Sequence, residues 1–262
     1  MKAIGIRRDD VFSPNCIEKD RAILQSVLDV LTQEGWETEL IDETEFSAVQ
    51  KADFYFSMAR DRRTLRELKQ LEQEGRRVVN RAEGVHNCQR SILNDIMRRN
   101  HVPMAPEKGT VGWWLKRGDA AAQTRADVVF CPNDESLLEA KRKFLSRGIT
   151  NFVVSAHVEG DLVKFYGVSN GFFRYFYPTD DGLSKFGDET KNGKAHHYTF
   201  NSQNLQADVE RLARLTGVDV YGGDAIINEE GLYCIIDFND WPSFSRCRED
   251  GAEAIAQLAT KK

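Results

Sequence analysis

At 262 residues the chain can form one large domain, or two to three small subdomains that share a cleft. Apolar residues make up 41% and charged residues 29%, a balance that excludes both a disordered chain and a membrane-embedded one. The 36 Lys and Arg against 41 Asp and Glu leave a net charge of −5, so neither nucleic acid nor a membrane is expected as a partner.

Residues 2 to 7 (KAIGIR) read as a short strand. The charges that follow in MKAIGIRRDD break any secretory leader pattern, and no later stretch nears the roughly 18 apolar residues of a membrane span, so the expected compartment is the cytoplasm. Residues 18 to 34 carry Ile23, Leu24, Val27, Leu28, Val30 and Leu31 at helical spacing, and Gly35 supplies a stop. Strands are predicted at 37 to 41, 53 to 57 and 76 to 79, with a helix at 62 to 74. Strands alternating with helices predict a small, mostly parallel α/β unit.

A helix is predicted from about 89 to 100. The loop HVPMAPEKG then marks a subdomain boundary with two prolines and a glycine. Strands at 111 to 116, 127 to 130 and 152 to 157, with a helix at 134 to 147, predict a compact β-rich layer. Residues 161 to 177 read as two strands around Ser169-Asn170-Gly171, because Asn-Gly favours hairpin turns with positive φ. The polar run 179 to 195 reads as a mobile loop. A helix at 203 to 216, strands at 219 to 227 and 232 to 238, and a helix at 249 to 260 complete the chain. The five cysteines have no CxxC spacing, which argues against a zinc cage or disulfide framework.

The last pair of strands, VYGGDAII and LYCIIDFNDWPSF, carries the most informative residues. In an antiparallel hairpin their midpoints lie side by side, so Asp224 and Asp237 can meet. Two carboxylates on otherwise apolar strands repel and pay for desolvation unless a cation compensates. Asn239 is two residues beyond Asp237 and shares its face, giving three oxygen donors of the kind Mg²⁺ accepts. Asp237 and Asn239 would equally suit the start of a loop before Pro242.

Asp224, Asp237 and Asn239 resemble the metal triad of the ATP-grasp superfamily. The Asp-x-Asn form is similar to that of its inositol trisphosphate kinases, and the chain as a whole also resembles members of the ribosomal-protein glutamate ligase type. The resemblance spans nearly the whole chain and implies an α/β (α+β) ATP-grasp fold. Its expected parts are an N-terminal α/β subdomain at 1 to 80, a central lid at 81 to 160 and a C-terminal subdomain with the metal site at 161 to 262. It further implies ATP and Mg²⁺ as cofactors, or Mn²⁺ in its place, and a small-molecule or peptide substrate.

The same resemblance assigns further residues. Arg90 stands where relatives carry a phosphate-binding lysine, and Lys116 resembles a second one, although the glycine-rich cover common after it is replaced by RGDAAAQ. Ala156, His157 and Val158 are expected to line adenine, Glu159 or Asp161 to hold the ribose, and Lys164 to reach phosphate. Arg174 and Lys185 are expected to stabilise the transferred phosphoryl group, in a region that also holds Lys191, Lys194, His196 and His197. Because neighbouring strand residues face opposite ways, His196 and His197 are not expected to bind metal together.

Arg60, Arg62 and Arg63 follow a strand end of the N-terminal unit, a place where such sheets bind ligands, and suggest an acidic or phosphorylated substrate group. Ser13, Pro14, Asn15, Asp20 and Arg21 stand near the first strand as further substrate candidates. No GxSxG, GxxxxGK[ST] or GxGxxG motif is present. The implied reaction is an ADP-forming ligation through an acyl phosphate. A kinase acting on a hydroxyl, or a nucleotide-binding module without turnover, are the alternatives.

Overall fold

The computed structural model describes residues 1–14, 16–119, 124–181 and 191–260. Its first layer is a parallel sheet of order β2-β1-β3-β4, built from β1 (Lys2–Arg7), β2 (Glu37–Asp42), β3 (Phe54–Ser57) and β4 (Arg77–Val79). All four residues of β3 are buried, as expected of a central strand covered on both faces. Helix α1 (Ile17–Gln33) covers one face with Ile23, Leu24, Val27 and Leu31. Helix α2 (Arg62–Gln73) covers the other with Leu68 and Leu71, each buried side chain contributing about 1.5–3 kcal/mol. Asp61 starts α2 by accepting hydrogen bonds from the backbone N–H groups of Arg63 (2.8 Å) and Thr64 (3.1 Å).

Two helices follow, α3 (Ala82–Asn87) and α4 (Arg90–Arg99), where the sequence predicts only the second. A six-residue helix is too short to form alone. Tertiary contact holds α3, with Gly84 so close to Gly217 that an added Cβ would lie 2.5 Å from its carbonyl oxygen.

An antiparallel sheet of order β6-β5-β7 comes next, from β5 (Trp113–Arg117), β6 (Val128–Cys131) and β7 (Phe152–Ala156). Helix α5 (Asp134–Ser146) packs Ala140 and Phe144 onto Leu115 and Cys131. A second antiparallel sheet has the order β11-β10-β8-β9, from β8 (Asp161–Val168), β9 (Phe172–Phe176), β10 (Val220–Ile227) and β11 (Tyr233–Asp240). The remaining helices are α6 (Pro178–Asp181), α7 (Ser202–Thr216) and α8 (Arg248–Thr260).

One face of this last sheet packs Phe165 and Phe238 against Leu93 and Met97 of α4 and Leu205 and Leu212 of α7. Trp241, Phe244 and Ile255 of α8 join the core under α1, so the first and last sheets share buried apolar contacts. The buried Asn80 reinforces that junction. Its amide donates to the Val220 carbonyl (2.7 Å) and accepts from the N–H groups of Asp219 and Val220 (2.8 Å each). Among the described residues no helix is long and apolar enough to cross a membrane.

Candidate active site

The two antiparallel sheets face each other across a cleft of about 1420 Å³, large enough for a nucleotide and a second substrate. Alternation along β8 puts Leu162, Lys164 and Tyr166 on the cleft side, and β10 matches them with Ile226, Asp224 and Gly222. The floor therefore changes from apolar to charged to open within a few residues. Trp114 and Lys116, two apart on β5, project from the roof.

Asp224 and Asp237 are direct cross-strand partners between β10 and β11 because of a β-bulge. Below Asp224 the hairpin pairs Ala225 with Ile235, so an unbroken ladder would set Ile236 opposite Asp224. The register shift leaves Ile236 as the extra residue and brings Asp237 into line. The Ile236 carbonyl accepts a hydrogen bond from Lys116 Nζ at 2.9 Å, so the bulge both places the carboxylate and anchors the roof lysine.

Cations surround these acids. Lys164 Nζ lies 2.6 Å from Asp224 Oδ1, and Arg90 Nη2 lies 3.6 Å from Asp237 Oδ1 while its Nη1 donates to the Arg117 carbonyl at 2.7 Å. Asn239 Nδ2 donates to Asp237 Oδ2 at 3.1 Å, which leaves the amide oxygen as its metal-binding group. Burial pushes the Asp237 carboxyl up, but Arg90 and Lys116 outweigh it and hold the group below the ordinary aspartate value. Burial lowers the Lys116 pKa, with Asp237 opposing the shift and Arg90 adding to it.

The donor set fits a hard divalent cation. Two carboxylates and an amide oxygen share one sheet face, and Mg²⁺ commonly takes few protein ligands and completes its shell with phosphate and water. Among the described residues no three His, Cys, Asp or Glu side chains gather into a cage that would compete.

At the apolar end, Trp114, Phe130 and His157 form an aromatic cluster with centroid separations of 5.3–6.2 Å. Trp114 Nε1 donates to His157 Nδ1 at 3.1 Å, and Lys191 Nζ sits 4.3 Å from the Phe130 ring centroid. Burial lowers the His157 pKa below the usual histidine value; Glu159 opposes the shift and Lys191 adds to it. Ala156, His157 and Val158 all line this end. Several of their backbone groups are already engaged: the N–H groups of Ala156 and His157 donate to the carbonyls of Pro106 (2.7 Å) and Gly112 (2.8 Å), and the Val158 carbonyl accepts from Asn192 (3.0 Å).

Other expected residues fall elsewhere. Asp161 cannot take ribose hydroxyls, because it is buried and its two carboxylate oxygens accept from the backbone N–H groups of His196 (2.7 Å) and Tyr198 (2.8 Å). Glu159 is exposed and lies outside the cleft lining. Arg174 sits on the edge strand β9, with its guanidinium over Phe172 and 3.6 Å from Asp250, so it also misses the cleft. Lys185 and Asn15 lie outside the described residues. His196 and His197 turn to different carboxylates, Asp161 at 3.5 Å and Asp180 at 3.3 Å.

Sequence reasoning also missed residues that the cleft uses. Trp114, Leu162 and Ile226 line the apolar end, and the signal for each was its two-residue spacing from Lys116, Lys164 or Asp224. Arg8 and Asp240 carried no such signal. Arg8 is buried, donates to the Trp241 carbonyl at 2.6 Å and lies 3.9 Å from Asp20, while Arg60 pairs with Asp240 at 2.6 Å. Ser13 Oγ donates to Asp20 Oδ2 at 2.7 Å, so that expected substrate loop holds itself together.

No protein-family model matches this chain, and no curated protein matches it. Solved structures do, at full length. A D-alanine–D-alanine ligase from Bacillus anthracis complexed with ATP is 8% identical, with a TM-score of 0.66 over 100% of this chain and 98% of that one. A RimK domain ATP-grasp protein from Sphaerobacter thermophilus is 14% identical, with a TM-score of 0.66 over 98% and 99%. The ATP-grasp ligase PsnB, complexed with minimal precursor, Mg and ADP, is 13% identical, with a TM-score of 0.64 over 99% and 98%. With two antiparallel sheets closing on one charged cleft, and end-to-end superposition on these proteins, the chain has the ATP-grasp fold.

Proposed function

We propose that the protein is an ADP-forming ligase that uses ATP and Mg²⁺ to activate a substrate carboxylate for capture by an amine. The observation that carries this reading is the order of groups along the cleft: an aromatic and aliphatic slot, then Lys116, Lys164 and Arg90 around the Asp224–Asp237 pair, then an open outer half. That order suits a base, a triphosphate and an acceptor in line. The similar proteins solved with ATP, or with Mg and ADP, support it. The three subdomains at 1 to 80, 81 to 160 and 161 to 262 are part of the same reading.

The base would lie between Trp114 and Leu162, beside Ala156, His157 and Val158. Arg90 and Lys164 would leave Asp237 and Asp224, and Lys116 the Ile236 carbonyl, for phosphate oxygens, and together take the role expected of Arg174. Asp224, Asp237 and Asn239 would hold Mg²⁺, which when bound neutralises charge on the phosphates. An acceptor carboxylate oxygen bonds to the γ-phosphorus as the bond to the β,γ-bridging oxygen breaks, and ADP leaves. The amine then attacks the acyl phosphate carbon, releasing inorganic phosphate, and its proton passes to solvent.

The test is incubation with ATP, Mg²⁺, pooled carboxylic acids and acidic peptides, and hydroxylamine, which traps an acyl phosphate as a hydroxamate. ADP and hydroxamate appearing together support the ligase. The Asp237-x-Asn239 pattern shared with inositol trisphosphate kinases keeps a second reading, and a stable phosphate ester without hydroxamate would establish it. Asp237→Asn is expected to lower turnover by about 100-fold or more while the far-UV circular dichroism spectrum stays native.

A further inference from the structure

The outer half of the cleft carries a row of cations that the chemistry at Asp237 does not use. Arg62, Leu65, Arg66 and Lys69 of α2 all line it, at spacings of three, one and three residues that define a single helix stripe. The three basic residues are exposed, and among the described residues none has a carboxylate within ion-pair distance. Their neighbours are committed differently. Arg63, one position round the helix, donates to the carbonyls of Glu43 and Thr44 and lies 3.9 Å from Glu67, and Arg60 is held by Asp240. The cleft lining holds Lys19 and Arg246 together with Asp20, Asp61 and Glu83, so the excess of positive charge belongs to the α2 stripe itself. In a chain of net charge −5, this concentration of cations along one wall is local.

The spacing selects the ligand. Arg62 and Arg66 are about 6 Å apart along the helix axis and Lys69 about 4.5 Å further, at about 1.5 Å rise per residue. Same-face side chains of an extended peptide recur about every 6.7 Å. Arg60, just before α2, is paired with Asp240, and Asp240 stands three strand residues, about 10 Å, past Asp237. A ligand that meets all three cations must therefore span about 10 Å along α2, and one that also enters the site at Asp237 must reach past Asp240, beyond a compact di-acid or phosphate ester.

We propose that the acceptor is an acidic peptide segment that lies extended along α2, setting its carboxylates against Arg62, Arg66 and Lys69 while one carboxylate enters the phosphate site between Lys116 and Asp237. This rests on the ligase reading for its last clause only; the peptide site stands on the stripe itself.

The test uses the full chain and two labelled peptides of equal length, one with Glu at alternate positions and one with Gln in their place, followed by fluorescence anisotropy without nucleotide. The Glu peptide is expected to bind, with affinity falling as salt rises, and the Gln peptide to bind at least about tenfold more weakly. Arg62→Glu combined with Arg66→Glu and Lys69→Glu should weaken the Glu peptide by about tenfold or more, and Arg76→Glu combined with Arg77→Glu and Arg99→Glu, the same total charge change on exposed residues outside the cleft, should not. If the triple variant of the stripe fails to fold, Arg62→Gln with Arg66→Gln is expected to give about a threefold loss.

Equal affinity for the two peptides overturns the proposal. So does unchanged Glu-peptide affinity in the folded variants, or tripolyphosphate binding through the stripe more tightly than the peptide. Peptide binding through the stripe without hydroxamate formation would sink the ligase reading and leave the peptide site standing. Hydroxamate formed from a small acid, with kcat/KM indifferent to the charge reversals, would do the reverse.

Discussion

At the scale of single residues, the cleft works by holding charges where burial alone would discharge them. Desolvation lowers the Lys116 pKa against the opposing pull of Asp237, and its Nζ donates to the Ile236 carbonyl, a bond it would exchange for one to a phosphate oxygen. His157 shows the same effect of burial. Its folded pKa is depressed below the ordinary histidine value, so between that value and about 6.5 the unfolded chain binds more protons than the folded one. Stability is therefore expected to drop as pH falls through about 6.5 and to level off below the folded value. His157→Gln removes this titration. The wild-type melting temperature should decline relative to that of the variant between about pH 7.5 and about pH 5; a constant difference over that range would refute the account.

At the scale of elements, the β10–β11 hairpin decides whether there is a site at all. The bulge at Ile236 sets Asp237 opposite Asp224, and Gly223 lets the strands close there. A Cβ at Gly223 would sit 2.1 Å from the Asp237 carbonyl oxygen, a backbone atom that cannot rotate away. Gly223→Ala is expected to cost about 1–3 kcal/mol in denaturant unfolding, through overpacking. Turnover should fall further than that loss explains, because relief of the clash moves Asp237 itself. A variant with wild-type ADP release would show that the close approach is not needed for activity.

At the scale of the whole molecule, the first sheet matters to the cleft because it is tied to the strand that carries Asp224. Asn80, 1% exposed, stitches the end of β4 to Asp219 and Val220 at the start of β10. Asn80→Ala leaves the backbone N–H groups of Asp219 and Val220 without their acceptor, while the Val220 carbonyl keeps its bond from the Trp241 N–H, and is expected to cost about 2–4 kcal/mol by chemical denaturation. A loss under about 0.5 kcal/mol would mean that water replaces those bonds. The same junction brings α2 to the cleft, since Arg60 at its start reaches Asp240 at the end of β11.

Most elements were legible because local periodicity and turn chemistry agree with burial. Ile23 to Leu31 recur at helical spacing and cover one face of the first sheet, and Asn170-Gly171 turns the β8–β9 hairpin with Gly171 at φ 92°. Asp224, Asp237, Asn239 and Lys116 stood out because charged or polar groups on apolar strands require partners, whereas Lys164 came from the family resemblance alone. Local pattern could not supply helix α3, which exists only against Gly217. It also could not place Asp161, whose carboxylate finds backbone N–H groups 35 and 37 residues away. The bulge belongs to the same class: nothing in CIIDFND marks Ile236 as the residue to be left out of the ladder. Composition and spacing by themselves determined which side chains would need one another, and three-dimensional packing alone decided the register in which they met, because register is set by contacts between strands and not along them.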